Sequence, residues 1–180
     1  YDKIYGKTGW RAMTIRSNSI GQGEVLVTPL QLCNAAATIA NEGYFITPHL
    51  CKSDTFLTHR HETAVEQRYF PIVKQGMARV MTNGTGRHYA LPDSITSAGK
   101  TGTVQNSRGR DHAIFIGFAP VDNPKIAVAV VVENAGFGAT WAAPIASMMM
   151  EQYLTGEVTR KDLRQRISST VLNPNVINRK

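Results

Sequence analysis

Two strongly apolar stretches, His112–Ala119 and Ile126–Val132, separated only by the short turn at residues 120–124, constrain this chain more than any other feature. In the first, alternation places Ile114, Ile116 and Phe118 on one face and Phe115, Gly117 and Ala119 on the other, and neither face is polar. The second is apolar on both faces as well. A strand buried on both faces needs a layer on each side of its sheet. A connection this short joins neighbouring strands as an antiparallel hairpin. The expected class is therefore α+β: antiparallel strands with helices on both faces.

Lys100-Thr101-Gly102-Thr103 lies just before that hairpin, with the turn Ser107-Arg108-Gly109-Arg110 between them. Residues 93–98 ahead of it are short, polar and compatible with a strand. An amine, two hydroxyls and a glycine along one open strand edge suit the capture of a peptide carboxylate and the stabilisation of an oxyanion. The stretch has no nucleophile of its own. A second Lys-Thr-Gly triplet, Lys7-Thr8-Gly9, sits between Gly6 and Trp10 with no strand pattern around it and reads as a loop. Gly99-Lys100-Thr101 also ends like a phosphate-binding loop, but that motif needs a glycine where this chain has Ser94.

The helices are bounded by recognisable signals. Thr28-Pro29 supplies a hydroxyl cap and a proline at the first helical position, Leu30, Cys33, Ala36, Ala37 and Ala40 follow at helical spacing, and Gly43 closes the helix. Residues 44–48 read as a short extended piece and residues 53–68 as a polar surface excursion. A second helix is expected over 69–82, with Pro71 in its first turn and Ile72, Val73, Met77, Val80 and Met81 as its buried stripe. A last helix is expected from about Thr140, with Pro144 in its first turn and Gly156 as its stop. Ile145, Met148, Met149 and Tyr153 make it apolar nearly all round, so it is placed on the sheet as a buried layer.

At 180 residues and 42% hydrophobic, the chain forms one core. The division expected is a folded body over residues 1–156 and a basic C-terminal tail over 157–180. That tail carries four of the seven net positive charges, so the charge describes a solvated tail rather than a nucleic-acid surface. A tail of that sign also tolerates an anionic membrane or wall polymer. The longest apolar run has seven residues, against about 20 for a membrane-spanning helix. The opening Tyr1-Asp2-Lys3 reads as mid-loop, as in a piece of a longer protein.

Cys33 falls in a helical apolar pattern and Cys51 after a strand-like one, without CxxC spacing or a disulfide framework. No metal or cofactor is expected: His59-Arg60-His61-Glu62 lies in the polar excursion without further ligands and reads as a solvated loop. Thr85-Gly86-Arg87 is expected to shape the cleft near Lys100, and Asp111 and His112 to belong to the hairpin that follows. Trp10 and Trp141 are assigned to packing.

Together, the motifs resemble one family. Residues 97–105, Ser-Ala-Gly-Lys-Thr-Gly-Thr-Val-Gln, resemble the third signature of the penicillin-recognising serine transpeptidases. Ile20-Gly21-Gln22-Gly23, Thr28-Pro29-Leu30-Gln31 and Ala40-Asn41-Glu42-Gly43 resemble the segment upstream of that strand in class B penicillin-binding proteins, and Gly117-Phe118-Ala119-Pro120 and Glu133-Asn134 their following hairpin. The resemblance runs over residues 5–154, and the lead-in at residues 5–10 is most similar to the elongation type, penicillin-binding protein 2, with division-type enzymes the nearest alternative.

The resemblance implies the C-terminal half of a serine transpeptidase/β-lactamase-like domain. The family's S-x-x-K and S-x-N signatures have no counterpart here in a matching context and are expected upstream, so the chain alone is expected to be catalytically silent. Carried onto this chain, Lys100 and Thr103 are the implied catalytic residues, and Thr101, Gly102 and Thr103 bind substrate. The implied parent is a peptidoglycan DD-transpeptidase that acts on stem peptides and is acylated by β-lactams. A penicillin-binding sensor or a serine β-lactamase-like domain is the alternative. The implied setting is the outer face of the cytoplasmic membrane, behind an N-terminal anchor, beside a membrane glycan polymerase.

Overall fold

The two apolar stretches pair as a hairpin in the computed structural model, which describes residues 6, 11–23, 25–50, 59–92 and 95–172. The elements in chain order are α1 (Ala12–Ser19), α2 (Pro29–Ala40), β1 (Tyr44–Ile46), β2 (Arg60–Glu62), α3 (Phe70–Thr82), β3 (Ala98–Val104), β4 (His112–Ala119), β5 (Ile126–Val132), α4 (Ala142–Thr155) and α5 (Lys161–Ser169). β3, β4 and β5 form one antiparallel sheet in that order. Lys100 lies opposite Ile116, Thr101 opposite Phe115 and Thr103 opposite Ala113.

Both faces of the sheet are covered, as two-sided apolarity requires. On one face Phe115, Val128 and Val130 pack against Ala142, Ala143, Ala146 and Met150 of α4. The three alanines are fully buried, so the helix backbone lies close to the strands. On the other face Ala98, Phe118, Ile116 and Ala127 pack against Ala40 of α2 and Met77 of α3. The resulting architecture is the expected α+β sandwich of helices around an antiparallel sheet.

Local signals explain most element ends. Thr28 accepts from the Gln31 N–H while the Gln31 side chain accepts from the Thr28 N–H, a complete capping box on α2. At its other end Gly43 N–H reaches Thr38 O and Glu42 N–H reaches Ile39 O. This closure puts Glu42, not Gly43, at the left-handed position next to the helix, with φ of 58°. Gly156, with φ of 86°, stops α4 as expected.

Several expectations are corrected. α1 had no signal strong enough to predict it. Residues 95–97 are not strand; the strand starts at Ala98 and runs through the Lys-Thr-Gly motif, where a strand was expected. Within the polar excursion, Arg60–Glu62 forms a strand that pairs with Tyr44–Ile46. Ile72 and Val73 are exposed, and the buried side of α3 consists of Phe70, Lys74, Met77 and Met81. Met149 and Tyr153 of α4 are exposed too, so that helix is one-sided. Residues 161–169 of the basic tail are helical. Lys7-Thr8-Gly9, Trp10, Cys51, Asp93 and Ser94 lie outside the described residues.

Candidate active site

The Lys100–Thr103 motif occupies β3, which pairs with β4 on one side only among the described residues. The Lys100 side chain is exposed, and its Nζ donates to Thr101 O at 2.6 Å. Thr101 Oγ1 lies 2.8 Å from Thr85 Oγ1, so the Thr85-Gly86-Arg87 turn meets the motif directly. Thr103 Oγ1 accepts from Gly138 N–H at 3.4 Å. The four motif residues thus lie on one strand, as expected, with a threonine from the turn after α3 and a backbone N–H from the loop before α4 beside them.

Hydrogen bonds on the open side settle which way the motif's peptide groups face. Gln22 Nε2 donates to Thr103 O at 2.8 Å, and Gln105 N–H donates to Gln22 Oε1 at 3.3 Å. In an extended strand a residue's N–H and C=O point to the same side. The Thr103 N–H therefore points away from β4, to the same side from which Gln22 approaches. Lys100 Nζ meets Thr101 O from the exposed side chain of the neighbouring residue.

The glycines of this region divide by what surrounds them. A Cβ on Gly102 would first meet Ile114 Cβ at 3.4 Å, an ordinary contact. A Cβ on Gly138 would fall 2.3 Å from Gly102 O and 2.4 Å from Ile114 O, both backbone atoms. Gly138 is required by the fold, whereas Gly102 is not.

Among the described residues no nucleophile accompanies the motif. Ser97-Ala98-Gly99-Lys100 satisfies the letters of S-x-x-K, but Ser97 is buried and the segment runs into a strand. Three residues of strand separate two side chains by about 10 Å and turn them to opposite faces, whereas one helical turn would stack them. Ser147 is fully buried; it donates to Tyr89 O and accepts from Arg160. Burial pushes the Cys33 thiol up, away from the reactive thiolate.

Asp111 and His112 hold the hairpin: Asn106 N–H donates to Asp111 Oδ1 at 3.1 Å and Asn134 N–H to His112 Nδ1 at 3.0 Å. His59 and His61 lie on or beside the exposed β2, where His61 stacks on Phe45. Among the described residues no cluster of three or more His, Cys, Asp or Glu side chains is placed to hold a metal. Trp141 packs against the α4 face of the core, with the Arg166 guanidinium 5.7 Å from its ring centre.

Sequence reasoning missed Gln22 and Gly138 as neighbours of the motif. In the sequence Gln22 stands out only as part of a family segment, and nothing local links it to a strand more than eighty residues on. Its two flanking glycines are the available signal, one at positive φ and the other packed against Asn18.

A helix-layered antiparallel sheet with a Lys-Thr-Gly motif on its edge strand describes the penicillin-recognising class of transpeptidase domains. Residues 2–151 match the family described as penicillin binding protein transpeptidase domain. The peptidoglycan D,D-transpeptidase MrdA of Haemophilus influenzae is 35% identical over 174 residues, covering 82% of this chain and 27% of its own length. The crystal structure of Pseudomonas aeruginosa PBP2 in complex with WCK 5153 matches with a TM-score of 0.76 and 34% identity, over 89% of this chain and 37% of that one. A structure concerned with coordination of polymerization and crosslinking by a peptidoglycan synthase complex matches with a TM-score of 0.72 and 28% identity, over 88% of this chain and 29% of that one. The chain belongs to the penicillin-binding protein transpeptidase family, in its class B, PBP2/MrdA-type branch. It spans about a quarter of the length of the MrdA relative. No helix among the described residues is long and apolar enough to cross a membrane.

Proposed function

We propose that this chain is the substrate-gripping wall of a peptidoglycan D,D-transpeptidase, and that the nucleophilic serine comes from residues outside the chain. The observation that carries this reading is the open edge of β3, where Lys100, Thr101 and Thr103 stand beside an outward-facing Thr103 N–H. In the proposed reaction the serine attacks the penultimate D-alanine carbonyl of a stem peptide and the terminal D-alanine leaves. An amine from a second strand then takes the acyl group. The Lys100 ammonium attracts the substrate carboxylate and biases proton transfer at the serine. The Thr101 and Thr103 hydroxyls bind that carboxylate, and Gly102 leaves room for the substrate. The Thr103 N–H supplies one half of the oxyanion hole and the serine's own N–H the other; loss of one such donor costs about 3 kcal/mol of barrier. β-Lactams enter by the same route as mimics of the peptide terminus.

By the same reading the parent works on the outer face of the cytoplasmic membrane behind an N-terminal anchor, beside a glycan polymerase. The match to a synthase complex that couples polymerization to crosslinking supports that partner. The body at residues 1–156 belongs to the transpeptidase domain and residues 157–180 form its basic C-terminal extension. Labelling with a fluorescent penicillin tests the reading. The full-length parent should be acylated, its Lys100→Ala variant should lose acylation by at least about a hundredfold, and the 180-residue chain alone should not label. Equal labelling of wild type and Lys100→Ala would overturn the assignment of Lys100. Rapid release of the label would identify a lactamase instead.

A further inference from the structure

Gln22 is held by its backbone before its side chain reaches the motif. Gly21 N–H bonds to Asn18 O and Gln22 N–H to Ser17 O, the paired closure of a helix end, with Gly21 at φ of 76°. On the other side, a Cβ on Gly23 would fall 1.6 Å from Asn18 Oδ1 and 3.0 Å from Asn18 Cα. One glycine is needed for its backbone angle and the other for close approach. Between them Gln22 is half-buried and projects onto β3.

The side-chain amide then does what a neighbouring strand's peptide groups would do. It donates to Thr103 O at 2.8 Å and accepts from Gln105 N–H at 3.3 Å. Successive outward groups on this edge form two brackets: Thr101 O with Thr103 N–H, and Thr103 O with Gln105 N–H. Gln22 fills the second; in the first, Thr101 O accepts from Lys100 Nζ and the Thr103 N–H is left facing outward. Gln22 therefore closes the side of β3 away from β4 beyond Thr103 and keeps the end of the strand extended, which aims the Thr103 N–H.

We propose that Gln22 is a positioning residue for acyl transfer, an amide clamp that holds the edge strand so that the Thr103 N–H meets the developing oxyanion. The proposal rests on the transpeptidase reading above. An amide serves both bonds at once, because one end donates and the other accepts. A carboxylate of the same size loses the bond to Thr103 O and sets a negative charge beside the site.

The test uses the full-length parent with Gln22→Ala, Gln22→Glu and Gln22→Asn. Saturation kinetics with a fluorescent penicillin separate the acylation rate constant from the preceding binding constant. Gln22→Ala should slow acylation by about tenfold, equivalent to about 1.4 kcal/mol of barrier, with binding little changed. Gln22→Glu should be at least as slow despite its matched size, and Gln22→Asn should recover part of the rate. Hydrogen exchange at Gln105, which requires no activity, should accelerate in Gln22→Ala. Wild-type acylation rates in Gln22→Ala and Gln22→Glu would overturn the proposal, as would unchanged exchange at Gln105. A wild-type parent that does not react with penicillin at all would instead sink the transpeptidase reading, and the positioning role with it.

Discussion

Gly102 and Gly138 face each other across the motif for different reasons, and substitution should separate them. At Gly102 a methyl group meets only an ordinary contact with Ile114, so Gly102→Ala should change stability by less than about 1 kcal/mol. Its cost should fall on the reaction, where a Cβ occupies space meant for substrate; we expect at least about tenfold slower acylation. At Gly138 the methyl would drive into two backbone carbonyls. Backbone has little room to yield, so Gly138→Ala should cost about 1–3 kcal/mol and disturb the Gly138 N–H bond to Thr103 Oγ1. Urea unfolding and penicillin acylation of the parent variants give both readouts; a stable, inactive Gly138→Ala would contradict this division. Gly102 was legible because its neighbours name the chemistry. Gly138 was not, since Ala135-Gly136-Phe137-Gly138 reads as an ordinary turn and its constraint is a strand distant in sequence.

At the scale of elements, α3 shows how a helix can be placed correctly and rotated wrongly. Its bounds were expected at 69–82 and are Phe70–Thr82. The apolar letters Ile72 and Val73 suggested one face, yet Phe70, Lys74, Met77 and Met81 define the buried one. A lysine in that stripe hides the true phase from a pattern search. It is accommodated because its long stem packs while Nζ reaches Glu42 at 2.9 Å and Ala40 O at 3.4 Å. The ammonium thus meets the carbonyl end of α2, where a cation is favoured, and ties α3 to α2. Lys74→Ala should cost about 2 kcal/mol, losing both the packing and the charged hydrogen bonds. Lys74→Met keeps the stem and should cost roughly half as much. Equal losses in the two variants, measured by urea unfolding of the parent, would show that the ion pair contributes everything and the stem nothing. The hairpin, by contrast, was fully legible, because two-sided apolarity leaves a strand no alternative phase.

Over the whole molecule, the basic tail was expected to be solvated, but Thr159 and Arg160 near its start turn inward. Glu151 of α4 is fully buried. It accepts from Thr159 N–H at 2.8 Å, from Thr159 Oγ1 at 2.6 Å and from Arg160 Nε at 2.8 Å. Arg160 also donates to Ser147 Oγ and to Ala90 O, joining α4, the turn before β3 and the start of α5. Charge counting treated Arg160 as one of six solvated cations because a pair formed between distant layers leaves no mark in composition. Burial alone would raise the Glu151 carboxyl; the Thr159 hydroxyl and N–H and the Arg160 guanidinium outweigh it and hold it below its ordinary value. A depressed carboxyl binds its proton more readily in the unfolded chain, so its stabilisation is complete above the unfolded value of about 4.3 and is lost as pH falls through the folded one. Glu151→Gln leaves Arg160 without its counter-charge and should cost about 3 kcal/mol at pH 7. In urea unfolding of the parent, the gap between wild type and Glu151→Gln should stay constant from pH 7 to about 5 and narrow below about 4. A gap that stays constant down to pH 3, or that widens on acidification, would mean that the Glu151 charge does not hold the tail to the body.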